Sequence, residues 1–165
     1  MLSVLSDEGG WAYVSGMSTD RSSYLNVGKR CIAVRTAMTA RAISRHYDNA
    51  LREAGLTGTQ FSLLVAIGSG DFPSMSALGE RLSIDRSTLS RNFKPLLENG
   101  WVVKEPGQGG RAIPLRLTDE GAEKLNAALP KWEAAQDKLE EMLSDDELQD
   151  GKRFLRALRQ AAEAD

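Results

Sequence analysis

Between Arg86 and Lys94 the 165-residue chain places short hydroxyls, an amide and three cations on a helical repeat. Ser87, Arg91 and Lys94 fall at i, i+4 and i+7, with Asn92 at their flank and Arg86, Thr88 and Ser90 beside them. Such groups hydrogen-bond phosphate oxygens, and a guanidinium or an amide also reads base edges. Arg91 is the residue best suited to a base edge, because its paired N–H groups match guanine O6 and N7. That contact is worth about 1–3 kcal/mol of discrimination. Ser87 and Thr88 stand where a helix N-terminus adds its own partial positive charge, which suits phosphates. Arg86 suits the same role, or a pairing with Asp85. The competing reading of the whole row is an ordinary solvated helix face, and the surrounding elements decide between the two.

Those elements are legible. Leu89, Phe93, Leu96 and Leu97 give the same helix an apolar back at i, i+4, i+7 and i+8. Asp85 is its expected N-cap and Asn99-Gly100 its stop signal. Pro95 removes one backbone hydrogen bond and predicts a kink after Arg91. Pro73-Ser74 opens a shorter helix over Met75–Leu82, joined to the first through Ser83-Ile84. Two helices linked in this way, the second cationic outside, form a helix-turn-helix. Trp101-Val102-Val103 and Ile113-Leu115-Leu117 then read as strands around a tip of Gly107, Gly109 and Gly110. Arg111 on that tip is placed for a DNA minor groove, with a charged hairpin tip as the plainer alternative.

Around this unit lie long helical patterns. Residues 27–54 carry two apolar stripes: Val27, Cys31, Val34 and Met38, and Ile32, Ile43, Tyr47 and Leu51. Thr57 to Ile67 is the next helix. Thr118 caps a helix bearing Leu125, Leu129, Trp132, Leu139 and Leu143, which Pro130 should bend, and Ser144 with Glu147 opens a last one. Residues 1–26 show no period and read as a flexible arm, or one that docks on a partner subunit; a true start at Met17 would also account for them. The expected fold is mainly α with a small β-hairpin wing: a winged helix-turn-helix at 55–117, an N-terminal dimerisation helix at 27–54 and C-terminal dimerisation helices at 118–165. The flanking helices hold more apolar surface than the winged core can cover, so a homodimer with two reading heads follows.

The net charge of -2 hides a strong asymmetry. Residues 83–117 hold six bases against three acids, whereas residues 118–165 hold seven bases against thirteen acids. The cationic field therefore sits on the reading head, which would orient it toward double-stranded DNA. One Cys and one His exclude a disulfide framework and a Cys/His zinc site within one chain. No cofactor is expected, no run is apolar and long enough to span a membrane, and a cytoplasmic setting fits. No Ser–His–Asp or Cys–His constellation, phosphate loop or metal cluster supports an enzyme.

Taken together, the segments ARAISRHYDNAL, GLTGTQFSLL, LGERLSIDRSTLSRNFKPLLENGWV, PLRLTDEGAEKL and PKWEAAQ resemble the multiple antibiotic resistance regulator (MarR) family of bacterial transcription factors, over about residues 29–162. The resemblance implies a winged-helix homodimer that represses, or less often activates, genes and is released by a small ligand, often an aromatic acid, or by oxidation. Where the family has an Asp two residues before the wing Arg, which steadies the wing tip, this chain has Gly109. The reactive Cys of peroxide-sensing relatives aligns with Ala33, two residues beyond Cys31, and one partner tyrosine aligns with Tyr47.

Three cations, Arg41, Arg45 and His46, could line an effector pocket between the dimer helices and the core, where a carboxylate would meet them. The plainer reading of His46 is a helix contact, and that of Cys31 a small buried hydrophobe. Trp101 and Trp132 read as packing residues. The function expected is a homodimeric repressor binding an inverted-repeat operator. A redox regulator acting through Cys31 and a winged-helix protein-interaction module are the alternatives.

Overall fold

Local chemistry fixes most helix ends in the computed structural model, which describes residues 21–70, 72–105 and 113–164. The elements are α1 (Arg21–Arg30), α2 (Ile32–Leu51), a 3-10 turn (Arg52–Ala54), α3 (Gly58–Ser69), α4 (Met75–Leu82), α5 (Arg86–Glu98), β1 (Val102–Lys104), β2 (Leu115–Leu117), α6 (Asp119–Glu140) and α7 (Asp145–Ala162). Thr57 and Ser144 each close a capping box, with Gln60 and Glu147 respectively. Gly55 ends the 3-10 turn in the left-handed region at φ 64°, where a glycine carries no Cβ penalty.

The chain divides into two compact units, one ending at Ala40 and the other beginning at Arg41. Three boundaries differ from the sequence expectation. The arm proposed for residues 1–26 gives way to helix at Arg21, while residues 1–20 lie outside the described residues. The single helix expected over 27–54 is broken at Cys31, where Arg35 donates from Nε and Nη2 to the Lys29 carbonyl at 3.3 and 3.2 Å. A terminal carbonyl of α1 thus finds a side-chain partner in place of a helical N–H. Finally, the division falls inside α2, because Tyr47 and Leu51 pack with the core of the second unit.

That core is built on α3 and α5. Leu51, Leu63, Leu64, Leu78, Phe93, Leu96, Val102 and Leu115 are all fully buried within it. Each such side chain contributes about 1.5–3 kcal/mol by leaving water. Ala128 of α6 joins them, and Leu125, Leu129 and Trp132 pack against the same cluster. The first two-thirds of α6 therefore serve the winged core. Pro130 lies inside α6 and Pro95 inside α5, yet both helices run on as single elements. The kink expected after Arg91 does not divide α5: Pro95 stands in its last turn, and its carbonyl accepts from the Asn99 backbone and side-chain nitrogens at 3.0 and 2.8 Å.

The wing is a two-stranded antiparallel sheet in the register Val102–Leu117, Val103–Arg116 and Lys104–Leu115. Phe72 adds a bridge to Leu115, whose N–H donates to the Phe72 carbonyl at 3.0 Å. The wing base is held to α6 at very short range. A Cβ on Gly121 would lie 2.0 Å from the Trp101 carbonyl oxygen, so only glycine permits this approach.

Candidate nucleic-acid interface

Helix α4 ends at Ser83, which adopts φ 51°, and Ile84 N–H donates to the Gly79 carbonyl at 2.9 Å. This left-handed residue turns the chain from α4 into α5. Gly79 lets the two helices close: a Cβ there would sit 3.0 Å from Leu89 Cδ2. With Leu89, Phe93 and Leu96 buried, α5 turns Arg86, Ser87, Ser90, Arg91 and Lys94 to the exposed side, and Thr88 and Asn92 stand half-buried at its edge. The expected row is thus brought together on one helix. Arg111 lies outside the described residues.

The hydrogen bonds refine individual roles. Asp85 Oδ1 accepts from Ser87 N at 3.0 Å, Thr88 N at 2.9 Å and Ser87 Oγ at 2.7 Å. These bonds, led by those with Ser87 and Thr88, hold the Asp85 carboxyl far below the usual carboxylate range. They also occupy the backbone amides of Ser87 and Thr88, the two residues expected to hold phosphates at the start of the helix. Thr88 also accepts two bonds: its Oγ1 from Arg91 Nη2 at 3.3 Å and its carbonyl from Asn92 Nδ2 at 2.9 Å. Lys94 pairs with Glu98 at 3.5 Å, an exposed i,i+4 contact that a phosphate can displace at little cost. At the wing base Arg116 meets Glu105 at 3.3 Å, and Lys124 of α6 lies 4.6 Å over the Trp101 ring.

Arg41, Arg45 and His46, assigned to an effector pocket, do not share the lining of a described cleft within one chain. A cleft of about 430 Å³ does open between α2, α3 and α6, but Arg41, Arg45 and His46 are absent from its lining. Arg41 and Arg45 are exposed, and His46 Nε2 lies 2.8 Å from the Ala135 carbonyl on α6. Packing between helices 89 positions apart in sequence thus takes up the imidazole. Beside it the Tyr47 hydroxyl donates to Gln136 Oε1, and burial, helped by Glu140, pushes the phenol pKa up. Cys31 is half-buried at the junction of α1 and α2. Trp132 stacks on Phe61 with centroids 6.0 Å apart, in keeping with a packing role.

A helix-turn-helix with a hairpin wing and an exposed polar and cationic face on its second helix defines a winged helix-turn-helix protein. Comparison with known proteins agrees. The family model described as MarR family matches residues 54–112. The transcriptional regulator MosR of M. tuberculosis, crystallised in complex with DNA, is 35% identical, with a TM-score of 0.72 over 81% of this chain and 97% of that one. The uncharacterised helix-turn-helix regulator YwoH of Bacillus subtilis is 28% identical over 140 residues, 83% of this chain and 96% of its own. A mutant MarR of E. coli complexed with operator DNA shares the fold at a TM-score of 0.69 and 21% identity, over 83% of this chain and 96% of that one. The chain belongs to the MarR family of transcriptional regulators. No helix among the described residues is long and apolar enough to cross a membrane.

Proposed function

We propose that the protein is a cytoplasmic repressor that binds an inverted-repeat DNA operator as a homodimer and is released by a small ligand. The observation that carries this reading is the outward face of α5, where Arg86, Ser87, Ser90, Arg91 and Lys94 are exposed while the opposite face is sealed into the core. Arg91 reads a base edge, and Lys94 and Arg86 hold phosphates. Thr88 contributes through its hydroxyl, since its amide is taken by Asp85, whereas Ser87 reaches a phosphate by turning its hydroxyl away from Asp85. Arg111 supplies the wing contact. The DNA complex of MosR, 35% identical over nearly all of that chain, supports a duplex as the partner.

Dimerisation is supported by apolar side chains left in water on the flanking helices. Val27, Val34 and Met38 are 60, 45 and 59% exposed, and on α7 Phe154 and Leu155 are 59 and 60% exposed. Faces of this kind are covered by a partner in most soluble proteins, and a two-fold dimer covers both copies at once. Footprinting on the DNA upstream of the protein's own gene tests the reading. Two symmetric half-sites centred about one helical turn apart, roughly 10 bp, are expected. A single unsymmetrical footprint, or binding without sequence preference, would refute it.

A further inference from the structure

The carboxylate that caps α5 uses only one of its oxygens. Asp85 Oδ1 takes all three of its hydrogen bonds, from Ser87 N, Thr88 N and Ser87 Oγ. Oδ2 has no partner among the described residues, and Asp85 is exposed. Residue type marks a cap here without telling the two oxygens apart. A cap needs one acceptor, which a serine would also supply. The second oxygen is a further acceptor held in a fixed place, because two backbone amides pin the carboxylate to the helix end. Its bonds, led by those with Ser87 and Thr88, keep the group ionised far below neutral pH. It therefore stays an acceptor even beside phosphates, whose charge raises a carboxyl pKa.

Asp85 stands at the end of the exposed row. Ser87 Oγ meets it at 2.7 Å, and Arg91 follows one turn further along the same face. In a helix-turn-helix the N-terminal residues of the second helix are the ones that meet base edges in the major groove. Guanine and thymine present acceptors to a carboxylate there, and adenine sets its N7 acceptor beside its amino group. Cytosine alone offers a donor with no acceptor next to it on its own edge. We propose that Asp85 is a specificity-determining residue, its free oxygen accepting from the N4 amino group of a cytosine in the same half-site as the base that Arg91 reads. The contact presupposes the DNA-binding reading above and adds a second base to it.

The footprinted operator, remade with each half-site position set in turn to all four base pairs, tests this by fluorescence anisotropy on the full chain. The unaltered protein is expected to prefer cytosine at one position of each half-site by about 5- to 10-fold, the low end of what a mismatched pair costs. Asp85→Asn keeps the Oδ1 acceptor but puts an N–H donor where Oδ2 was. Its preference at that position should pass to thymine, which presents O4 where cytosine presents N4. Uracil should serve this variant as well as thymine does, which sets aside a contact to the methyl group. Asp85→Ser retains a cap without a second oxygen and should show no preference there. Thermal melts of both variants are expected to stay close to that of the unaltered protein, since Asn and Ser cap about as well as Asp.

If both variants ranked the base pairs as the unaltered protein does at every position, Asp85 would be a cap alone. Equal losses of affinity on operator and on unrelated duplex would also overturn the assignment, because they mark a displaced helix and not a lost base contact. An unaltered protein with no preferred duplex would instead remove the DNA-binding reading, and the cytosine contact with it.

Discussion

Asp85 concentrates three donors on one oxygen, and that decides what the start of α5 can do. With Ser87 N and Thr88 N both committed, the charge a phosphate would meet there is already neutralised by a carboxylate. Sequence placed Asp85 as an N-cap correctly, since a cap is set by its immediate neighbours. How completely it would saturate the first turn depends on side-chain geometry that residue type leaves open. Because the folded carboxyl titrates well below its unfolded value near 3.9, its contribution is complete above about pH 4 and fades as pH falls further. Asp85→Ala should therefore lower the Tm by a constant amount between pH 5 and 8, with the gap closing below about pH 4. Thermal melts followed by circular dichroism check this, and a gap independent of pH would contradict the assigned bonds. Arg91, steered by Thr88 Oγ1, carries the larger share of the sequence preference in the proposed complex. Arg91→Ala is expected to cost about 1–3 kcal/mol at the preferred operator and far less on unrelated duplex. Equal losses on both DNAs, measured by anisotropy, would reduce Arg91 to a phosphate contact.

Elements were legible where their signals were local. Gly55, Thr57, Thr118 and Ser144 mark real termini, and each strand starts on a buried residue, Val102 or Leu115, followed by an exposed one. What sequence missed was set at long range. The break at Cys31 has no Gly or Pro at that position to announce it, and His46 meets Ala135 only because α2 packs on α6. The junction of wing and α6 belongs to the same class. Gly121 looks like a poor helix residue, yet it is the one that lets α6 approach Trp101. Thr118 reinforces the joint, its Oγ1 donating to the Gly100 carbonyl at 2.7 Å. Gly121→Ala gains intrinsic helix propensity but forces backbone apart, for an expected net loss of about 1–3 kcal/mol. Urea unfolding reports it, and a neutral or stabilised variant would show that the contact gives way freely.

At the scale of the whole molecule, charge and apolar surface are segregated: residues 83–117 carry an excess of bases, and the last 48 residues of the sequence carry nearly twice as many acids as bases. The acidic end would be repelled by a phosphate backbone, so the molecule has one electrostatically favoured way to approach DNA. A second copy is needed for two reading heads, and α7 supplies a surface suited to it. The helix is firmly started by the Ser144–Glu147 box and by acids in its first turn, but none of its residues is buried. Capping makes it helical, while Phe154 and Leu155 stay exposed, and in the proposed dimer a partner takes them out of water. Replacing both with Glu leaves the core residues of α3 and α5 untouched, so the variant should keep its helix content and the wing should stay docked on α6. Light scattering is expected to show a dimer for the unaltered protein and a monomer for the variant. Operator affinity should then fall by about 10²–10⁴-fold, because two linked half-site contacts become independent events. The residual binding of the monomer should also show a weaker salt dependence, since fewer phosphates are neutralised at once. A variant that remained dimeric with full operator affinity would place the interface elsewhere and leave the exposed face of α7 unexplained.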